Sequence, residues 1–176
     1  MMGVFDKLCM VPLPRRGAGL VALALLAACS PQQATGPAPA AQEVASHPVS
    51  GLDVVPLTVT GPSGTHRFRV EVARTTAEQA RGLMFRTSLA PDEGMIFPRE
   101  TASQASFWMK DTPLPLDIIF VGPDGTISNI VAQTTPYSLD PVLSVGPASL
   151  VLELAGGRAQ ELGIQAGDKV TWGAAR

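Results

Sequence analysis

The sequence predicts a mainly β domain, a compact sandwich or barrel-like unit with one or two short helices, set behind an export signal. Three observations lead there. Apolar runs of four to seven residues recur between Gly and Pro breaks, which is the rhythm of short strands. Residues 66–73 alternate, with Phe68, Val70 and Val72 on one side and Arg67, Arg69 and Glu71 on the other, as in a half-buried strand. Helix signals are brief, and no regular β–α–β alternation or internal repeat is read.

In chain order, residues 1–28 read as a signal. Arg15 and Arg16 precede the mostly apolar Gly17 to Ala28, a run too short to span a bilayer. It ends in Leu26-Ala27-Ala28-Cys29, a bacterial lipobox, so Cys29 is the expected lipidation site and the protein is expected to be a membrane-anchored lipoprotein facing the periplasm. Ser30, rather than aspartate, favours the outer membrane. An ordinary cleaved signal is the plainer alternative. Residues 29–52, rich in Ala, Pro and Gln, read as a flexible tether, and residues 53–176 as a single globular domain.

Within that domain, Thr75-Thr76-Ala77-Glu78 has the capping-box pattern and opens a helix over 76–84, with Ala77, Ala80, Leu83 and Met84 as its apolar stripe. Strands follow at 94–97, 105–110, 116–121, 126–132 and 150–154. Pro123-Asp124-Gly125 turns the third of these into the fourth. A short helix at 158–162 and a strand at 169–172 finish the chain.

Composition excludes several functions. Beyond residue 28 the chain holds 10 basic and 14 acidic residues, a net charge of −4, which argues against nucleic acid and against electrostatic binding to anionic lipid. Cys9 and Cys29 are the only cysteines, so the domain has no disulfide, thiol nucleophile or Cys-based metal site. His47 and His66 are too few for a zinc site. Met84, Met95 and Met109 are soft enough for Cu(I) but lie on separate elements, and core filling accounts for them better. No metal or other cofactor is expected. Motifs for triad hydrolysis, zinc proteolysis, phosphate loops and dinucleotide binding are missing.

Several ordered motifs carry a resemblance: Gly82-Leu83-Met84-Phe85-Arg86, Gly94-Met95-Ile96-Phe97, Phe107-Trp108-Met109-Lys110-Asp111-Thr112, Pro115 to Phe120, and Val151-Leu152-Glu153-Leu154. Over about residues 70–170 the chain resembles the domain-of-unknown-function 192 family. The resemblance implies a compact, mainly β domain and brings no established activity. At Asp111 the family pattern usually shows asparagine.

The motif residues offer a site. Asp117 and Glu153 are acids in otherwise apolar strands, and burying an unpaired charge is costly, so each needs a cation, several donors or a proton. Arg86 and Lys110 are the expected partners. Trp108 and Lys110 share a strand face, where an aromatic ring beside an ammonium can grip a ligand. Two readings follow. These groups are internal scaffolding, or Arg86, Trp108, Lys110, Asp117 and Glu153 line a cleft for a small anionic or zwitterionic ligand. The expected function is that of an envelope lipoprotein with a non-enzymatic domain that binds a small molecule or an envelope protein. The alternative is a carboxylate-dependent hydrolase or isomerase acting on an envelope glycan or metabolite, with Asp117 and Glu153 as acid and base.

Overall fold

The computed structural model describes residues 45–173. The signal, Cys29 and most of the expected tether lie outside this range. Eight strands and two helices follow in the order β1 (Ala45–Ser46), β2 (Asp53–Gly61), β3 (Gly64–Val72), α1 (Thr76–Arg81), β4 (Glu93–Phe107), β5 (Leu116–Val121), β6 (Ile127–Val131), β7 (Val142–Ala155), α2 (Arg158–Leu162) and β8 (Lys169–Trp172). The strands form one sheet in the order β1-β2-β3-β4-β7-β5-β6, with β8 on β2. The domain is mainly β, as expected, with two short helices.

Alternation places the core. Val55, Leu57 and Val59 of β2 and Phe68, Val70 and Val72 of β3 are buried in the same cluster as Ile119 and Val121 of β5 and Leu150, Leu152 and Leu154 of β7. Strands from both ends of the sheet therefore share one core, and the sheet must curl to bring them together. The curl does not close into a barrel: β8 continues from β2, and only a short contact, the Thr126–Lys169 bridge with backbone hydrogen bonds between residues 125–127 and 167–170, joins it to the start of β6. The reverse face of β4, β7 and β5 carries a second core that includes Met95, Phe97, Met109, Leu116, Ile118, Phe120 and Val151. These three strands are thus covered on both sides.

Several elements differ from the sequence reading, each for a physical reason. The expected strands at 94–97 and 105–110 belong to one bulged strand, β4, which stops at Phe107, and β7 begins eight residues before its apolar run. The extensions pair with each other through Ser103–Ala148 and Phe107–Val142; the β4 extension is largely polar and the β7 extension is interrupted by Gly146-Pro147, so neither shows a strand pattern. β2 was hidden by Pro56. That proline falls between the stretches of β2 that pair with β1 and with β8, where its missing N–H is not needed. β3 and β4 are parallel, joined through α1, so one β–α–β unit exists where none was expected. Residues 45–52, assigned above to the tether, lie on the domain: Ala45 and Ser46 pair with Val54 and Asp53.

Gly94 lets β4 and β7 approach closely. A Cβ there would stand 2.5 Å from the Glu153 carbonyl oxygen and 2.9 Å from Leu154 Cδ2. Gly94→Ala should therefore lower the unfolding free energy by about 2 kcal/mol, read as a shifted urea midpoint with the slope unchanged. A midpoint equal to the wild type would mean that the two strands can part without loss.

Candidate functional site

The second core is incompletely covered, and the gap is a cavity. Its roof is α1, held by the expected capping box: Thr75 Oγ1 accepts from Glu78 N, and Glu78 Oε2 accepts from Thr75 N. Gln79 Nε2 donates to the carbonyls of Ala73 and Pro98, fixing the helix over β4. Thr76, Gln79, Ala80 and Leu83 fall at helical spacing and all face the gap. The helix stops at Arg81 rather than at 84, with Gly82 as its C-cap, and none of its residues is buried; of the expected stripe only Leu83, past the helix end, enters the core, while Ala80 and Met84 line the gap and Ala77 does neither. The cavity has a volume of about 390 Å³. Phe97 and Phe107 meet edge to face in its wall at 5.0 Å, alongside Leu116, Trp108, Met84, Arg81, Arg99 and Glu153.

Glu153 is the chemical centre of this space. Val151 of the same strand face is fully buried, and Glu153 itself is only 5% exposed. Among the described residues no cation forms an ion pair with its carboxyl and no donor hydrogen-bonds to it, and burial alone pushes its pKa from the ordinary 4.5 up to about 8. At neutral pH it is a carboxylic acid, able to donate as well as accept.

A row across the sheet supplies a contrast. Glu71, Met95, Glu153 and Ile118 lie side by side on β3, β4, β7 and β5, which sets the two glutamates about 10 Å apart at ordinary strand spacing. Glu71 is also buried, but Arg86 Nη2 donates to both its oxygens at 2.7 and 2.8 Å. Ser50 Oγ donates to the same carboxylate, and His47 Nε2 stands 3.6 Å from it. Arg86 is therefore spent on Glu71 and does not line the cavity. Sequence reasoning missed Glu71 because it reads as one more polar residue on a solvent face, and the segment covering that face, 47–50, reads as tether.

The remaining expected site residues are dispersed. Asp117 is fully buried and accepts from Gln133 N, Gly157 N and Ala159 N, all at 2.8 Å. It thereby caps α2, whose N-cap is a glycine with no side chain to do so. Asp117 pairs in register with Leu154, so it points to the opposite face of the sheet from Glu153. Trp108 is 53% exposed at the cavity edge, with Lys110 Nζ 5.7 Å from its ring centre. The structure brings Glu153 and Trp108 to one cavity, sets Lys110 beside Trp108, and places Arg86 and Asp117 elsewhere. Its cavity cations are Arg81 and Arg99, which sequence reasoning did not single out. Their strand and helix contexts look like ordinary solvated faces. Of the methionines weighed as soft ligands, Met95 and Met109 fill the second core and Met84 lines the cavity.

Comparison with known proteins sets this geometry in context. The family model for uncharacterised ACR proteins, domain of unknown function 192, matches residues 58–172. The chain belongs to that family. The domain-of-unknown-function 192 match encloses every cavity residue named above but not His47 or Ser50. A protein of unknown function from Novosphingobium aromaticivorans DSM 12444 is 57% identical in its crystal structure, with a TM-score of 0.73 over 75% of this chain and 94% of that one. A second structure, from Sinorhizobium meliloti 1021 and provisionally described as a transcription regulator, is 36% identical with a TM-score of 0.67 over 69% and 95%. No curated protein matches. At Asp111 the backbone is left-handed, with φ 51°, and its carbonyl accepts from Phe85 N. Asparagine and aspartate both tolerate that conformation, so the departure from the family pattern keeps the turn.

Two predictions follow from the row of glutamates. Glu153 has a folded-state pKa above its unfolded value, so its share of stability is complete below pH 4.5 and is lost as pH rises towards 8. Relative to Glu153→Gln, the wild type should lose roughly 3–5 kcal/mol between pH 4.5 and 8.5, measured by urea unfolding across pH. Parallel profiles for the two proteins would mean that Glu153 is already ionised in the native state. Arg86→Ala should cost about 3–5 kcal/mol by stranding the Glu71 carboxylate, and replacing Arg86 and Glu71 together by Met and Leu should recover most of that loss.

Proposed function

We propose that this domain binds a small molecule in the cavity beneath α1. The observation that carries this reading is a buried carboxyl, Glu153, without a partner among the described residues and facing a cavity of ligand size. A core filled only for stability would place an apolar residue there, because the buried acid lowers stability at neutral pH. Phe97, Phe107, Leu83 and Leu116 supply apolar wall, and the carboxyl supplies one orienting polar contact. The lipobox at Cys29 and the residues that follow it support placement on a bacterial envelope membrane, outer by the serine at position 30, with the domain working in the periplasm.

A second reading is favoured by one observation. A carboxyl with a pKa near 8 holds a proton at neutral pH and can act as a general acid, which keeps open a hydrolase or isomerase acting on an envelope glycan or metabolite. That reading has to use Glu153 alone, because Asp117 lies on the other face with its oxygens engaged by backbone amides.

The test is a fragment screen by ligand-observed NMR on the wild type and on Ala80→Trp. Ala80 is exposed on α1 and lines the cavity, so the larger side chain fills the space without touching the core. Hits should bind the wild type and lose at least tenfold in affinity in the variant. Hits that bind both equally would place binding elsewhere. Turnover of any hit, abolished by Glu153→Gln, would convert the binding reading into the enzymatic one.

A further inference from the structure

The charge of the cavity narrows the ligand class. Its lining contains two guanidinium groups, Arg81 and Arg99, and one acid, Glu153, whose proton stays on at neutral pH. The site is therefore positive. Neither arginine forms an ion pair with a described residue, whereas Arg86 and Arg158 each meet a carboxylate at 2.7 Å.

Arg99 is the more telling of the two. It is half-buried on β4, its Nη2 donates to the neutral Ser103 hydroxyl at 2.8 Å, and its Nε is buried with no acceptor among the described residues. Buried donors are nearly always satisfied, and guanidinium groups most strongly by anionic oxygens. The wall to which Arg99 belongs also carries Phe97 and Phe107, while Trp108 offers a partly exposed ring at the edge. A cationic ligand would face two like charges. An uncharged ligand would leave the guanidinium unneutralised.

We infer that the cavity takes a small organic acid, its anionic group received by Arg99 and its apolar body packed against the Phe97–Phe107 wall, with Glu153 donating a hydrogen bond to it. This rests on the cavity being a ligand site, and it adds the sign of the ligand and the residue that reads it. Arg81, on the exposed last turn of α1, contributes to the field without being required for the contact.

The experiment is calorimetric titration of the whole protein at pH 6.5 with three probes that share one apolar body: 3-phenylpropionate, 3-phenylpropionamide and 3-phenylpropylamine. The carboxylate should bind at least about tenfold more tightly than the amide or the amine, the increment expected of a charge-assisted hydrogen bond. Arg99→Gln should erase that preference by weakening the carboxylate at least about tenfold, and Ala80→Trp should weaken all three. A preference that survives in Arg99→Gln overturns the role of Arg99. Equal or tighter binding of the amide or amine, still lost in Ala80→Trp, overturns the anion assignment and leaves the cavity reading standing. Failure of all three to bind at millimolar concentration overturns both.

Discussion

The β4–β7–β5 ladder is apolar on both faces, and the rest of the domain is arranged around the need to cover each of them. One face is covered by the sheet itself, which curls until β2, β3 and β8 lie over it, so that alternate residues from nearly every strand enter one core. The other face has no strands left to cover it. It receives α1, the loops around residues 83–92 and 108–115, and the segment at 45–52. Short helices and loops cover a sheet less completely than another sheet does, and the cavity lies where the cover falls short. The site is thus a consequence of topology: a sheet that curls on one side leaves its reverse to irregular structure, which is also where binding residues are most easily varied.

Three of the four buried acidic side chains among the described residues, those on the strands β3, β5 and β7, show how the same chemistry meets that two-sided burial in different ways. Asp117 is satisfied by three backbone amides and serves as the missing cap of α2. Glu71 is satisfied by a guanidinium and a serine hydroxyl. Glu153 has neither, and burial is answered by keeping its proton. The first two are the solutions expected of scaffolding, since each polar atom has a named partner and its loss would be felt as instability. The third lacks any such internal purpose.

The sequence made most of the fold legible, because local signals agreed with the tertiary outcome. The capping box at Thr75, the alternation along β3, the turn at Pro123 to Gly125 and the last helix and strand all lie where the residues pointed. What was illegible depended on pairing partners. The second half of β4 and the first half of β7 are strands only because they hydrogen-bond to each other, and Pro56 concealed β2 because nothing local shows that its side of the strand has a gap between partners. At the site, Glu153 and Trp108 were visible as an acid in an apolar strand and an aromatic in a motif. Arg81 and Arg99 were not, since an arginine near a helix end or in a polar ribbon looks the same whether it faces solvent or a cavity. Arg86 was assigned to the wrong acid for a related reason. Charge complementarity identifies plausible pairs, but the register that puts Glu71 one strand from Met95 and two from Glu153 decides which pair forms.

That register also explains how the domain can hold a paired and an unpaired glutamate on one row. Met95 stands between them and contributes no polar atom, while β3 and β7 carry the two carboxyls out of hydrogen-bond reach of each other. Arg86 neutralises Glu71 in a contact too close and too buried to be shared. Glu153 is then left in an apolar setting whose nearest open direction is the cavity. Substituting an apolar residue at 153 would satisfy the core and remove the stability lost on raising the pH, so the packing of the second core gives no reason for an acid there. Natural proteins accept local violations of good packing mainly where a site requires them, and among the described residues the Glu153 carboxyl is the clearest such violation in the second core.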